Sequence, residues 1–87
     1  MQSQEYYVYI LECSDKTLYC GITDNIERRI AEHNTSPRSA KYTRGRRPVR
    51  LVYSESLSSK SLALKREIEI KKLYRIQKLE LISSLQN

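Results

Sequence analysis

Two runs of aromatic and β-branched residues near the start of the chain predict two strands. The first, Tyr6 to Glu12, is apolar on both faces, which favours a central position in a sheet. Alternation gives its two faces as Tyr6, Val8 and Ile10 against Tyr7, Tyr9 and Leu11. Turn-forming residues at 14–16 separate it from the second run, Thr17 to Ile22, so the two runs predict a hairpin.

The register of this hairpin decides which side chains meet on the sheet. With a loop at Cys13 to Asp15, Tyr9 lies directly opposite Tyr19, and Gly21 lies two residues further along the same face. Because Gly21 has no side chain, we expect an open spot beside Tyr19 where a ligand can approach the backbone.

A helix is predicted from about Asn25 to Asn34, after the capping residues Thr23-Asp24-Asn25. Asp24 and Glu27 have the spacing of a capping box, although the usual first residue is Ser or Thr. The capping signals therefore place the start of the helix close to the end of the second strand.

This first helix carries a charged pair beside its apolar stripe. At about 100° per residue, Arg29 and His33 fall within or beside the stripe that Ile26 and Ile30 define, whereas Arg28 faces solvent. Arg29 and His33 are four residues apart, so both side chains can touch one target. Such a placement is unusual for a charged residue.

The segment from Thr35 to Pro48 is rich in Ser, Pro, Gly and basic residues and is predicted to be a loop. A third strand follows from Val49 to Glu55, with Val49, Leu51 and Tyr53 on one face. Pro48 stands immediately before it, where a proline does not disturb strand pairing.

The chain from Leu57 to Leu85 contains neither Gly nor Pro and is helical in pattern. Ser58 or Ser59 supplies its N-cap, and we expect a break near Tyr74 to Gln77.

This helical segment has a carboxylate on its apolar side. Helical spacing gives the apolar arc as Ala63, Leu64, Ile68, Ile70 and Tyr74. Glu67 falls inside the arc, and Lys71 is its neighbour one turn later.

Together these elements predict a small α/β (α+β) fold. It is a three-stranded antiparallel sheet flanked by helices, in the order ββαβα with a further C-terminal helical segment. The 87 residues are expected to make a single domain over residues 1–87.

The net charge of +6 and the pI near 9.5 favour an anionic partner, either phosphate backbones or anionic lipid. The segment from Arg38 to Arg50 carries six basic side chains and no acid. That arrangement is typical of a surface that binds nucleic-acid phosphates. Candidates for nucleic-acid contacts are Arg38, Lys41, Tyr42, Arg44, Arg46, Arg47 and Lys78.

Targeting and redox signals are weak in this chain. No apolar run approaches the roughly 18 residues that span a bilayer, and the first residues lack a signal-peptide pattern. We therefore expect a cytoplasmic protein that does not insert into a membrane. Cys13 and Cys20 form no CxxC pair and are expected to be reduced and structural.

Five residues whose side chains could together cleave a phosphodiester are expected to converge. An arginine can hold a phosphate through its planar fork of donors. A carboxylate can hold a divalent cation, and a tyrosine or histidine can handle the proton. The candidates are Tyr9, Tyr19, Arg29, His33 and Glu67.

Each candidate also has a structural interpretation. Tyrosines on strands are often core residues, and a lone histidine at a helix end, as His33 is, is often a packing or capping residue. Glu67 can pair with Lys71, and Arg29 can pair with Glu32 or Glu67. Five such coincidences in 87 residues favour a functional site.

In order and spacing the motifs resemble the GIY-YIG nuclease domain, in its small stand-alone bacterial form. Tyr7-Val8-Tyr9 is similar to the first signature and Tyr19-Cys20-Gly21 to the second. The resemblance covers nearly the whole chain and continues through Asn25 to Arg29 with His33, Lys41-Tyr42-Thr43, Arg46-Arg47-Pro48, Arg66-Glu67 and Ile70-Lys71. Related domains occur in the UvrC excision-repair nuclease, which implies DNA repair, and in phage homing endonucleases.

The resemblance implies hydrolysis of a phosphodiester in nucleic acid with one divalent metal, Mg²⁺ or Mn²⁺. By matching position, Tyr9 would be the general base or water-orienting group and Tyr19 its partner. Arg29 would bind the scissile phosphate, His33 would assist in proton handling, and Glu67 would be the metal ligand. Because a free tyrosine has a pKa of about 10, Arg29 or the metal would have to lower the pKa of Tyr9.

The chain departs from the family pattern at a few positions. Tyr7 replaces a glycine and Cys20 an isoleucine, and neither position supplies catalytic atoms. Lys78 lies in the segment where many relatives place a phosphate-contacting asparagine, so Lys78 is a candidate for that contact. Larger relatives carry a separate DNA-binding domain, so specificity here would come from the basic segment or from a protein partner.

The leading hypothesis is a metal-dependent endonuclease acting on DNA or structured nucleic acid. The first alternative is a non-catalytic nucleic-acid-binding module on the same fold. The second is an interaction protein whose charge serves only solubility.

Overall fold

The structure, a computed structural model, describes residues 5–84 of the chain. Within that range the elements are β1 (Tyr6–Glu12), β2 (Leu18–Thr23), α1 (Ile26–Thr35), α2 (Lys41–Arg44), β3 (Arg50–Leu57), α3 (Lys60–Lys71) and α4 (Arg75–Ser84). The predicted fold class and element order are confirmed. The short helix α2 is an addition, because it lies in the segment predicted to be a loop.

β1 is the central strand of an antiparallel sheet with the order β2-β1-β3. Its two predicted faces enter separate cores. Val8 and Ile10 pack toward α3, and Tyr9 and Leu11 pack on the opposite face with Ile30 of α1. The sheet therefore has helices on both sides, and β2 forms one open edge.

The predicted hairpin register is wrong by two residues. Glu12 pairs with Leu18, so the loop spans residues 13–17 rather than three residues. Asp15 accepts hydrogen bonds from Thr17 at 2.6 and 3.1 Å, and Lys16 adopts a φ of 70°. These local bonds stabilise the longer loop. Because the shift is even, every side chain keeps its predicted face.

In the observed register Tyr9 lies opposite Gly21, and Tyr19 lies opposite Leu11. A Cβ atom built on Gly21 would lie 2.6 Å from the Tyr9 hydroxyl oxygen and 2.9 Å from its Cζ atom. The Tyr9 ring therefore occupies the space that was expected to be open for a ligand. That expectation is wrong, and Gly21 serves the packing of Tyr9 instead.

β3 contains an irregularity that the sequence pattern did not predict. Ile10 pairs with Tyr53 but Leu11 pairs with Leu51, so Val52 is an extra residue in the pairing. The bulge changes the alternation of side chains along β3. As a result Val49 and Tyr53 enter cores on opposite faces of the sheet, and their predicted common face is wrong.

Asn25 is the N-cap of α1, and its side-chain oxygen accepts a hydrogen bond from the Arg28 amide at 3.0 Å. Asn25 rather than Asp24 is thus the N-cap, so the predicted capping box of Asp24 and Glu27 does not begin the helix; the Asp24 carboxylate pairs with the Arg28 guanidinium at 2.7 Å. The predicted faces of α1 are confirmed. His33 is fully buried, the Arg29 side chain is 24% exposed, and the Arg28 side chain is 57% exposed.

Ser59 caps α3, one of the two predicted serines, and the helix ends at Lys71. The break before α4 includes Tyr74 and begins slightly earlier than predicted; the predicted end at Leu85 lies outside the described residues. Ala63, Glu67 and Ile70 form the inward stripe of α3, at intervals of four and three residues. The rest of the predicted arc is exposed: Leu64, Ile68 and Tyr74.

Two further expectations concern the whole described chain. Cys13 and Cys20 are buried free thiols, as predicted. Within residues 5–84, none of the helices has the length and apolar character needed to cross a bilayer.

The contact between Tyr9 and Gly21 predicts the effect of a single methyl group. Gly21→Ala forces the buried Tyr9 ring to move and should lower the free energy of unfolding by about 1–3 kcal/mol. Thermal unfolding measures this as a decrease of about 4–8 °C per kcal/mol.

Gly45→Ala is the matched control, because a Cβ on Gly45 meets no atom within 4 Å and its φ is −91°. Its melting temperature should stay close to that of the unmodified protein. Equal melting temperatures for the two variants would contradict the packing of Tyr9 against Gly21.

Candidate active site

Tyr9 is at the centre of a cluster of aromatic rings above β1 and β2. It is 2% exposed, and its hydroxyl lies 2.9 Å from Nε2 of His33. The rings of Tyr9, Tyr19 and His33 pack against one another with centroid distances of 5.2–6.4 Å. The structure therefore brings three of the five predicted candidates into direct contact.

A second hydrogen bond of His33 selects between its tautomers. Its Nδ1 atom lies 2.9 Å from Oγ1 of Thr43, and that hydroxyl lies 3.0 Å from the carbonyl of Ala40, to which it can donate. With the Thr43 proton on Ala40, the Thr43 oxygen accepts the proton of Nδ1. In that tautomer Nε2 of His33 is an acceptor for the hydroxyl of Tyr9, which lies 2.9 Å away.

Thr43 takes part in this chain of hydrogen bonds, although the sequence did not predict it as a site residue. It is fully buried and lies on α2, within the segment that was predicted to be a loop. The only sequence signal for it was its place in Lys41-Tyr42-Thr43, one of the motifs in the family resemblance.

Burial keeps both Tyr9 and His33 neutral near pH 7. Burial, with a smaller effect from the Arg29 charge, lowers the pKa of His33 to about 4. Burial and the neighbouring Tyr19 raise the pKa of Tyr9 to about 12, although Arg29 acts in the opposite direction. Arg29 thus lowers the Tyr9 pKa, as expected, but burial outweighs its effect in the protein alone.

Arg29 lies beside the Tyr9 hydroxyl, since each of the two residues shifts the pKa of the other. Its Nη1 atom donates to Glu32 at 2.9 Å and to the carbonyl of Arg38 at 3.1 Å. The structural alternative of an Arg29–Glu32 pair is thus confirmed. Both bonds use Nη1, so the guanidinium can still present other donors to an anion.

Glu67 approaches the same region from the other layer of the fold. Its side chain is 17% exposed, and its carboxylate lies 3.3 Å from Nζ of Lys71, as the structural alternative predicted. Burial raises the pKa of Tyr19, Lys71 and Arg29 lower it, and Glu67 raises it. Tyr19 on the edge strand is therefore close enough to Arg29, Glu67 and Lys71 for the charge of each to shift its pKa.

The side chains around Glu67 can provide few protein ligands, so they fit only a metal site that water and substrate oxygens complete. No group of three or more His, Cys, Asp or Glu side chains that could hold a metal ion occurs in residues 5–84. Mg²⁺ commonly takes one or two carboxylates and completes its coordination with water and substrate phosphate oxygens. Glu67 alone can serve a site of that kind, provided that Lys71 leaves the carboxylate.

The predicted nucleic-acid contacts divide into exposed and internal groups. The exposed members are Arg38, Lys41, Tyr42 and Arg44. Arg46 is half-buried, stacks 4.1 Å above the Tyr42 ring and pairs with Asp15 at 3.0 Å. Lys78 is half-buried on α4.

Arg47 points into the protein rather than to its basic surface. It donates to the carbonyls of His33 and Ser36 at 2.6 Å and to the Ser39 hydroxyl at 2.8 Å. These bonds satisfy carbonyl groups at the C-terminal end of α1. Arg47 thus supports the helix that carries Arg29 and His33.

Sequence relatives of similar length share most of this chain. A UPF0213 protein of Syntrophus aciditrophicus is 62% identical over 76 residues, which are 87% of each chain. A UPF0213 protein of Staphylococcus haemolyticus is 56% identical over 78 residues, which are 90% of this chain and 94% of that one.

Solved structures of two relatives have the same fold. A UPF0213 protein of Bacillus halodurans is 48% identical with a TM-score of 0.59, covering 91% of this chain and 83% of that one. A protein of E. faecalis is 42% identical with a TM-score of 0.64, covering 94% and 86%.

A family model described as the GIY-YIG catalytic domain matches residues 5–80. This match includes every predicted catalytic residue and confirms the resemblance that the two tyrosine motifs indicated. The chain therefore belongs to the GIY-YIG catalytic domain family.

Proposed function

We propose that this protein is a metal-dependent endonuclease that hydrolyses phosphodiester bonds in DNA or structured nucleic acid. The observation that carries the proposal is the chain of hydrogen bonds from Tyr9 through His33 to Thr43, beside the Arg29 guanidinium. Membership of a catalytic domain family supports a nuclease-type activity.

Tyr9 acts as a proton relay. It takes a proton from the attacking water as it passes its own hydroxyl proton to Nε2 of His33, so no free tyrosinate accumulates. This route suits a tyrosine whose pKa is raised to about 12 and a histidine that is neutral near pH 7. Thr43 holds the His33 ring in the accepting tautomer.

Arg29 binds the scissile phosphate. Its fork of donors pairs with phosphate oxygens and stabilises the negative charge that develops on them. The same contact helps the relay, because the Arg29 charge is one cause of the lowered His33 pKa. A phosphate anion on Arg29 offsets that charge and makes His33 a stronger base.

Glu67 is the proposed ligand of Mg²⁺ or Mn²⁺. When bound, the ion supplies positive charge that polarises a phosphoryl oxygen and favours ionisation of water. Lys71 leaves Glu67 in that state and is then available as a donor to the substrate. Tyr19, which is close to both Arg29 and Glu67, orients the phosphate.

A non-catalytic nucleic-acid-binding module is the second candidate function. It is favoured by one observation, the ion pair in which Lys71 already occupies the Glu67 carboxylate at 3.3 Å. In this case the basic surface would bind nucleic acid, and Glu67 would have only a structural role.

Nicking of supercoiled plasmid DNA with Mg²⁺ or Mn²⁺ separates the two functions. We expect Glu67→Gln and Arg29→Ala to lower the rate at least about a hundredfold, because each removes charge stabilisation from the reacting phosphate.

Two control variants make the same change of charge at exposed positions of the same helices. Arg28→Ala lies on the exposed side of α1, and Glu69→Gln lies on the exposed side of α3 with a 65% exposed side chain. Both should keep nearly the full rate. If Glu67→Gln gives the same product at the same rate as the unmodified protein, catalysis through Glu67 is ruled out.

The tautomer of His33 provides another test. Thr43→Val removes the acceptor for Nδ1 and leaves a buried donor unpaired, so it should destabilise the fold by about 1–3 kcal/mol. It should also lower the nicking rate at least about tenfold, because His33 no longer accepts from Tyr9 reliably. Thr43→Ser keeps the hydroxyl and should restore most of the rate. Equal rates for the two variants would contradict the role of Thr43.

The low pKa of His33 predicts how stability depends on pH. In the unfolded chain His33 binds a proton below its ordinary pKa of 6.5, whereas the folded protein excludes that proton down to about pH 4. Stability should therefore fall as the pH decreases through this window, by roughly 1–3 kcal/mol in total. The nicking rate should also fall toward the lower end of this pH window, because protonated His33 cannot accept a proton from Tyr9.

Thermal unfolding between about pH 4 and pH 8 measures this effect. His33→Gln should remove most of the slope below about pH 6.5, since it removes the titrating group. The same slope in both proteins would show that His33 is not the group responsible.

A further inference from the structure

A second feature beside the tyrosine cluster has no role in the proposed chemistry. It is a cavity of about 190 Å³ between the start of β2, the short helix α2 and the first turn of α4. Its lining residues are Thr17, Leu18, Tyr42, Arg75 and Lys78.

The cavity is separated from the proposed catalytic cluster by one ring. The centroid of the Tyr42 ring lies 5.8 Å from that of Tyr19, and Tyr42 also faces the cavity. Tyr42 is held in place by the Arg46 guanidinium, which stacks 4.1 Å from its centroid. A ligand in this cavity would therefore sit next to a phosphate that contacts Tyr19.

The lining carries positive charge without a counterion. Arg75 donates to the carbonyl of Lys16 at 3.0 Å, and neither Arg75 nor Lys78 has an acidic partner among the described residues. By contrast, the nearby Arg46 is paired with Asp15. Lys78 is half-buried and lines the cavity, so its positive charge and that of Arg75 favour an anionic ligand there.

The remaining walls are apolar or aromatic. Leu18 is half-buried, and the Tyr42 residue is 39% exposed. A surface that combines an aromatic ring with two cations suits a planar base linked to a phosphate. It suits a simple anion less well, because an anion gains little from the ring and from Leu18.

We propose that this cavity binds the nucleotide next to the scissile phosphate, with its base against Tyr42 and Leu18 and its phosphate on Arg75 and Lys78. The inference rests on the proposed function, which places the scissile phosphate beside Tyr19. A base that is stacked and paired inside a duplex enters such a cavity only after it is flipped out, which costs unstacking and unpairing energy and is easiest for an unpaired base. The favoured substrate class is therefore nucleic acid with an unpaired nucleotide at the cleavage site, as in single strands, flaps and bulges.

Binding to short oligonucleotides in EDTA tests the proposal without cleavage. The probes are a single strand that carries one 2-aminopurine and a blunt duplex of the same sequence. Stacking against Tyr42 should quench the 2-aminopurine fluorescence in the single strand. Arg75→Ala/Lys78→Ala should weaken single-strand binding at least about tenfold and abolish the quenching.

Lys60→Ala/Lys65→Ala is the matched control, because it removes two exposed charges from α3, outside the cavity. We expect it to weaken the binding of both probes by the same small factor and to preserve the quenching. Tyr42→Leu should abolish the quenching in the single strand, because it removes the ring against which the base stacks. The proposal is overturned if both double variants weaken single-strand binding equally, or if quenching survives in Tyr42→Leu.

The test separates this inference from the proposed function. Cleavage with Mg²⁺ that depends on Glu67, without any quenching in EDTA, would retain the nuclease and reject the cavity. Quenching that depends on Tyr42 and Arg75, without cleavage by the unmodified protein, would retain the cavity and reject the nuclease.

Discussion

The close contact between the Tyr9 ring and Gly21 is the constraint on which the site depends. Because Gly21 has no side chain, the ring lies against β2, and its hydroxyl is directed to His33. That bond, continued to Thr43, joins β1, α1 and α2 through buried polar groups, each of which has a partner. The position of α1 relative to the sheet, and with it that of Arg29, follows from this chain of bonds.

The sheet also separates the buried neutral residues of the candidate site from the ion pair of Glu67 and Lys71. Tyr9 of β1 and His33 of α1 meet between the sheet and that helix, where burial keeps both neutral, whereas Glu67 and Lys71 come from α3 on the other face of the sheet. Both groups influence the pKa of Tyr19, because β2 is an edge strand that both layers can reach. A central strand in the place of β2 would keep the two groups apart.

Local periodicity was sufficient to predict the strands and the different exposure of Arg28 and Arg29. Residue types that favour N-caps placed the helix starts within a residue or two of the observed caps, Asn25 and Ser59. The features that it missed depend on contacts distant in sequence or on small backbone irregularities. The bulge in β3 reversed the side-chain alternation between Val49 and Tyr53. The direction of the Tyr9 pKa shift depended on burial under α1, which no residue type reveals by itself.

In the proposed nuclease, the ion pair between Lys71 and Glu67 would link two binding events. A divalent cation that took Glu67 from Lys71 would leave an ammonium group free for a phosphate. A phosphate that took Lys71 from Glu67 would leave a carboxylate free for the cation. Each ligand would therefore strengthen the binding of the other by the same factor, so two chemically different ligands would bind cooperatively.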